Sequence, residues 1–90
     1  MSRADRLAPV QQLFGKAERE RARELGEAQR QLADAEARLE ELRNYAREYR
    51  DAFRKRAEEG TGIRKLRDFQ AFLARLEEAI RAQEQIVAQA

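Results

Sequence analysis

Glu58-Glu59-Gly60-Thr61-Gly62-Ile63 is the stretch that decides the fold. It is the one decisive break in a chain that otherwise reads as helix. Gly is favoured just past a helix C-terminus, where φ turns positive. Thr61 is suited to begin the next helix by accepting a hydrogen bond from a free backbone N–H. The break therefore divides the chain into helix 1 at about 9–58, a turn over 59–62 and helix 2 at about 62–90. Pro9 fits a first helical turn, where its missing N–H costs nothing. Residues 1–8 are expected to fray or to add an irregular turn.

Working outward from the turn, the apolar residues recur by alternating steps of three and four. On the N-terminal side they are Leu25, Ala28, Leu32, Ala35, Leu39, Leu42, Ala46, Tyr49 and Phe53. On the C-terminal side they are Leu66, Phe69, Leu73, Leu76, Ile80, Gln83 and Val87. Such spacing keeps one stripe of each helix facing a partner helix. The expected fold is all-α: a single domain over residues 1–90, built as a long antiparallel two-helix coiled-coil hairpin with no β structure. Asp34–Arg38, Asp51–Lys55 and Glu77–Arg81 stand four apart with the acid first, an order that adds a few tenths of a kcal/mol per pair.

The N-terminal third is the weakest part. Gly15 and Gly26 cost about 1 kcal/mol each relative to Ala in a helix interior. Leu7, Val10, Leu13, Phe14, Ala17 and Ala22 do not share one heptad frame with Leu25, and Glu18 and Arg21 fall where apolar residues belong. A four-residue stutter would reconcile the two frames. Helix 1 would span roughly 75 Å and helix 2 roughly 43 Å at 1.5 Å per residue. Turning at Gly60–Gly62 sets Ala90 opposite about Gln31 and leaves earlier residues without a partner in the chain. An uncovered helix of that kind is marginal in water. Either another chain covers it or the natural second helix continues further. Truncation is the favoured expectation, with self-association as its consequence.

Composition limits what the chain can do. Charged residues make up 40% of it, with one Pro, four Gly and neither Cys nor His. Disulfides, thiolate chemistry and zinc sites built on those ligands are excluded. No cofactor or metal is expected. Met1-Ser2-Arg3-Ala4-Asp5-Arg6 is not followed by an apolar stretch and does not read as a secretory signal. No run of 18 apolar residues spans a membrane. Carboxylates abound, but nothing gathers them into a pocket, and Gly60-Thr61-Gly62 lacks the length and the Lys-Ser/Thr of a phosphate loop. The chain does not read as an enzyme.

Charge is uneven. Residues 43–67 hold nine basic groups against four acids, although the whole chain carries only +2. A solvated hairpin tip explains this, and so does an electrostatic contact for an acidic partner. Helical arms with basic tips can also hold RNA, which would make binding steeply salt-dependent. Interleaved acids argue against that, and no nucleic-acid partner is expected.

A second stripe runs beside the seam. Leu42, Tyr45 and Tyr49 form a line with Arg38 on helix 1, and Phe72, Leu76, Ala79, Gln83 and Ile86 form one on helix 2. The register sets 45 opposite about 76, 49 opposite about 72 and 42 opposite about 79, so the two lines meet on one side. One reading is a broadened packing face. The other is a protein-binding patch, since two helices cannot hide so wide a face on each other and Tyr is a favoured anchor at interfaces.

The same residues carry a resemblance. Leu39-x-x-Leu42-x-x-Tyr45-x-x-Glu48-Tyr49-Arg50, Gly60 at the turn, and Phe69-Gln70-x-Phe72-x-x-x-Leu76-Glu77-x-Ala79-Ile80 are similar to the FliJ family, with Leu25-Gly26-Glu27 and Ala35-Glu36 upstream also fitting. The likeness runs from about residue 7 to 90, and members of the family are longer. The resemblance implies a non-enzymatic, cytoplasmic component of the bacterial flagellar type III export apparatus, peripheral at the inner membrane and serving flagellum assembly, motility and chemotaxis. It implies likeness to the coiled-coil part of the γ subunit of rotary ATPases. The implied partners are the flagellar export ATPase hexamer, the cytoplasmic domain of the FlhA-type export gate membrane protein, and export chaperones. The family's gate-docking surface falls on Leu42, Tyr45, Tyr49, Phe72, Leu76 and Ala79, with Arg38 and Gln83 at the ends of the patch. The competing readings are a generic structural coiled coil or chaperone hairpin, for which Tyr45 and Tyr49 have no special role, and an RNA-binding helical hairpin.

Overall fold

A computed structural model of the chain describes the backbone of residues 3–90 and the side chains of residues 12–90. It consists of two α-helices, α1 (Arg3–Glu58) and α2 (Ile63–Gln89). No strand occurs among the described residues. The residues fall into two compact units, Met1–Gln31 and Leu32–Ala90.

The first unit is helical from Arg3 onward, six residues before the start expected at Pro9. Arg3 to Ala8 are helix-compatible residues, and α1 runs on through Pro9, which has no N–H to give the ladder. The helical segment of residues 3–8 therefore replaces the frayed or irregular turn expected there. The side chains of Leu7 and Val10, two of the residues that break the heptad frame, lie outside the described residues. Leu13 and Phe14 are 73% and 67% exposed, and Leu25 is exposed as well.

The second unit is the hairpin. Antiparallel pairing follows from its contacts: Phe53 near the end of α1 meets Phe69 near the start of α2, while Ala35 meets Gln83 much further along. The seam follows the heptad. Ala35, Leu39 and Ala46 of α1 and Leu76 and Gln83 of α2 are buried. Leu32, Leu42, Tyr49, Phe53, Phe69, Leu73, Ile80 and Val87 are half-buried between them. Leu66, the first expected seam position of α2, is instead exposed. Small Ala35 and Ala46 alternate with larger side chains, as interdigitated packing requires.

Gln83 is the one polar residue buried in this seam, and its Nε2 donates to the Ala35 carbonyl oxygen at 3.0 Å. Burying an amide without a partner costs a few kcal/mol, so this bond is what makes the position tolerable. It also pins one register, since sliding either helix breaks it.

The turn uses its residues differently from the sequence expectation. Gly60 has φ +98°, a conformation L side chains rarely adopt, and it closes α1 through Glu59 N–H to Arg56 O at 3.1 Å and Gly60 N–H to Ala57 O at 3.2 Å. These are the tightened bonds typical of a helix end. Thr61 does not cap α2. Its Oγ1 donates at 3.0 Å to the Arg56 carbonyl, a second bond to the acceptor that already takes the Glu59 N–H. The residue at the start of α2 is Gly62, in extended conformation and with no side-chain bond to the helix. Terminal carbonyls and terminal amides both lack helical partners, and a hydroxyl can serve either. Here it lies within reach of the former.

None of the three pairs four residues apart closes to an ion pair. Among the described residues the pairs are Arg50–Glu77 at 3.2 Å and Arg43–Glu84 at 3.9 Å, both across the hairpin, and Asp51–Arg54 at 3.9 Å along α1. All six side chains are substantially exposed, so each pair contributes roughly 0–1 kcal/mol.

Candidate functional site

The hairpin carries an aromatic ladder near its turn. Tyr45, Tyr49 and Phe53 rise from α1 at four-residue steps, which set side chains on one face one above another. Phe69 and Phe72 of α2 interleave with them. Phe53 and Phe69 stack with centroids 3.7 Å apart and planes 10° apart. Tyr49 stacks on Phe69 at 5.1 Å and tilts against Phe72 at 4.6 Å. Tyr45 meets the Phe72 ring edge-on at 6.2 Å and lies 6.5 Å from Tyr49. Offset and edge-on pairs of this kind add about 0.5–1.5 kcal/mol each beyond the area they bury.

The ladder runs from covered to open. Phe53, Phe69, Tyr49 and Phe72 are half-buried, whereas Tyr45 is 49% exposed. A ring held on one face by Phe72 and Tyr49 and wet on the other is already ordered, so a partner that covers it loses little side-chain entropy.

The residues picked out from the sequence divide into three groups. Leu76 and Gln83 belong to the sealed seam and offer a partner almost no surface. Leu42 and Tyr49 sit at the margin of the seam, half-buried, and Phe72 and Ala79 are half-buried just outside it. Tyr45 and Arg38 stand outward. Arg38 and Gln83 border the same shallow groove, together with Ile86, which is itself exposed. Ring contacts join Tyr45, Tyr49 and Phe72 into one surface, of which Tyr45 is the most open member.

Phe53 and Phe69, seam positions by the heptad, also extend the ladder to the turn. Their signal was in the sequence: Phe53 follows Tyr49 by four, and Phe72 follows Phe69 by three. Among the described residues no cluster of three or more His, Cys, Asp or Glu could hold a metal, and no helix is long and apolar enough to cross a membrane.

The fold and this flank define an all-α helical-hairpin protein with a heptad seam and a partly open aromatic side. The chain matches the flagellar FliJ protein family over residues 2–90 and belongs to that family. It is a component related to flagellar protein export. No curated protein and no solved structure matches it.

Proposed function

We propose that the chain is a non-enzymatic coupling component that links the flagellar export ATPase ring to the membrane export gate and contacts export chaperones. In this reading it works in the cytoplasm, at the inner face of the membrane. The aromatic flank docks the cytoplasmic domain of the FlhA-type gate protein. Tyr45 and Phe72 make the direct contact, with Leu42, Tyr49 and Ala79 at its margin and Arg38 at its end. Leu76 and Gln83 act from within the seam, holding the two helices in the register that brings Tyr45 over Phe72.

The observation that carries this reading is Tyr45: a large ring, half exposed, packed edge-on against Phe72 on the flank of the hairpin. Half-exposed aromatic anchors beside charged residues are typical of protein-binding surfaces. The paired substitution Tyr45→Ala with Tyr49→Ala is expected to preserve helicity by circular dichroism while weakening capture of the gate's cytoplasmic domain. Capture of the export ATPase should be unchanged. If helicity and gate capture fall together, the flank is packing rather than docking surface. If neither changes, the gate binds elsewhere.

A further inference from the structure

A groove opens where the aromatic ladder reaches the turn. Phe53, Phe69 and the edge of Tyr49 form its floor, and Gly60 and Thr61 close one end. Its rim carries Arg56 and Lys65, opposed by Glu59 and Asp68. Its volume is about 460 Å³, room for one large side chain with its neighbouring backbone.

The rim balances two cations against two acids, but residues 43–67 as a whole hold nine basic groups against four acids. Among the described residues, only Arg43, Arg50 and Arg54 of the nine basic groups in residues 43–67 make ion pairs. Arg47, Lys55, Arg56, Arg64, Lys65 and Arg67 make none, and all six are exposed. The first turn of α2 adds no acid to offset them. The tip therefore combines an apolar slot with a net excess of positive charge, although Glu48, Glu58, Glu59 and Asp68 stand among the cations. An excess of one sign near a concavity speeds and selects the approach of the opposite sign.

We propose that this groove is a second docking site, adjoining the flank and sharing Tyr49 with it but not Tyr45, and that it takes an acidic protein segment bearing one aromatic or large aliphatic side chain. That side chain lies on the Phe53–Phe69 stack, and the acids on either side of it meet Arg56 and Lys65. A bare polyanion would use the charge and leave the slot empty, which separates this occupant from RNA.

The full chain can be titrated with a fluorescent synthetic peptide of Asp and Glu residues around one central Phe. Three comparisons decide the matter: the same peptide with Ser in place of Phe, a poly-uridine strand of equal charge, and the charge-reversed protein Arg56→Glu with Lys65→Glu. The Phe peptide is expected to bind about tenfold more tightly than the Ser peptide and to lose at least about tenfold on charge reversal. Tyr45→Ala should leave its affinity unchanged, so this result stands apart from the fate of gate docking. Amide signals of Gly60 and Thr61 should shift on binding. Should charge reversal lower helicity, Arg56→Gln with Lys65→Gln gives the same comparison without new acids. Equal binding of the Phe and Ser peptides, tighter binding of the RNA strand, or shifts confined to residues far from the turn would each overturn the proposal.

Discussion

Gln83 Nε2 lies 3.0 Å from the Ala35 carbonyl oxygen, joining two buried positions 48 residues apart. Inside a helix that carbonyl also serves the N–H four residues on, so the amide uses its second lone pair. Replacing Gln83 with Leu therefore orphans no backbone group. Gln83→Leu is expected to melt within about 1 kcal/mol of the parent, or above it. Its cost should appear as lost register: cysteine pairs placed across the seam would cross-link in more than one alignment. A lower melting temperature with a single alignment retained would show that the bond stabilises rather than specifies.

The two turn glycines should respond in opposite directions. Gly60 has φ +98°, so Gly60→Ala is expected to destabilise the hairpin by about 1–2 kcal/mol even though no atom lies within 4 Å of the added Cβ. Gly62 is extended, has the same open space, and starts a helix with no side-chain cap and no acid in its first turn. Gly62→Asp is expected to stabilise by a few tenths to about 1 kcal/mol through a cap bond and a favourable dipole interaction. Urea unfolding of both variants checks the contrast, and equal effects would contradict it.

Leu39 is buried midway along the seam. Leu39→Asp removes its apolar contacts and places a charge among Ala35, Leu42 and the facing side chains of α2. The expected loss is on the order of 3 kcal/mol or more, enough to separate the helices. An unchanged thermal midpoint would mean that the seam does not hold the hairpin together.

Arg50 and Glu77 meet at 3.2 Å across the hairpin, with both side chains more than two-fifths exposed. Their coupling in a double-mutant cycle with Arg50→Ala and Glu77→Ala should be below about 1 kcal/mol and should fade as salt is raised. A salt-independent coupling of several kcal/mol would indicate a desolvated pair.

The hairpin was legible because a single stretch breaks the helical pattern and the heptad runs unbroken on both sides of it. Each seam position from Leu32 to Phe53 and from Phe69 to Val87 is buried or half-buried. Periodicity was weaker at separating the flank from the seam. Leu76 and Gln83 satisfy both stripes, and only the packing shows them sealed while Tyr45 remains open. Leu66 keeps the heptad phase yet is exposed, because phase says which way a side chain faces and not how closely the other helix approaches. The polar partners were least legible. The roles of Thr61, Asp51 and Glu77 depend on choices among bonds that differ by tenths of a kcal/mol, and spacing alone does not rank them.

The hydroxyl of Thr61 has a last consequence. By fastening the end of α1, it leaves α2 to begin without a side-chain cap, and Ile63, Arg64, Lys65 and Leu66 bury little. The loop is thus tied down on its incoming side and loose on its outgoing side. Breathing of the hairpin should start at Ile63 and travel along α2 toward the Phe53–Phe69 stack, which acts as the first firm clasp against it.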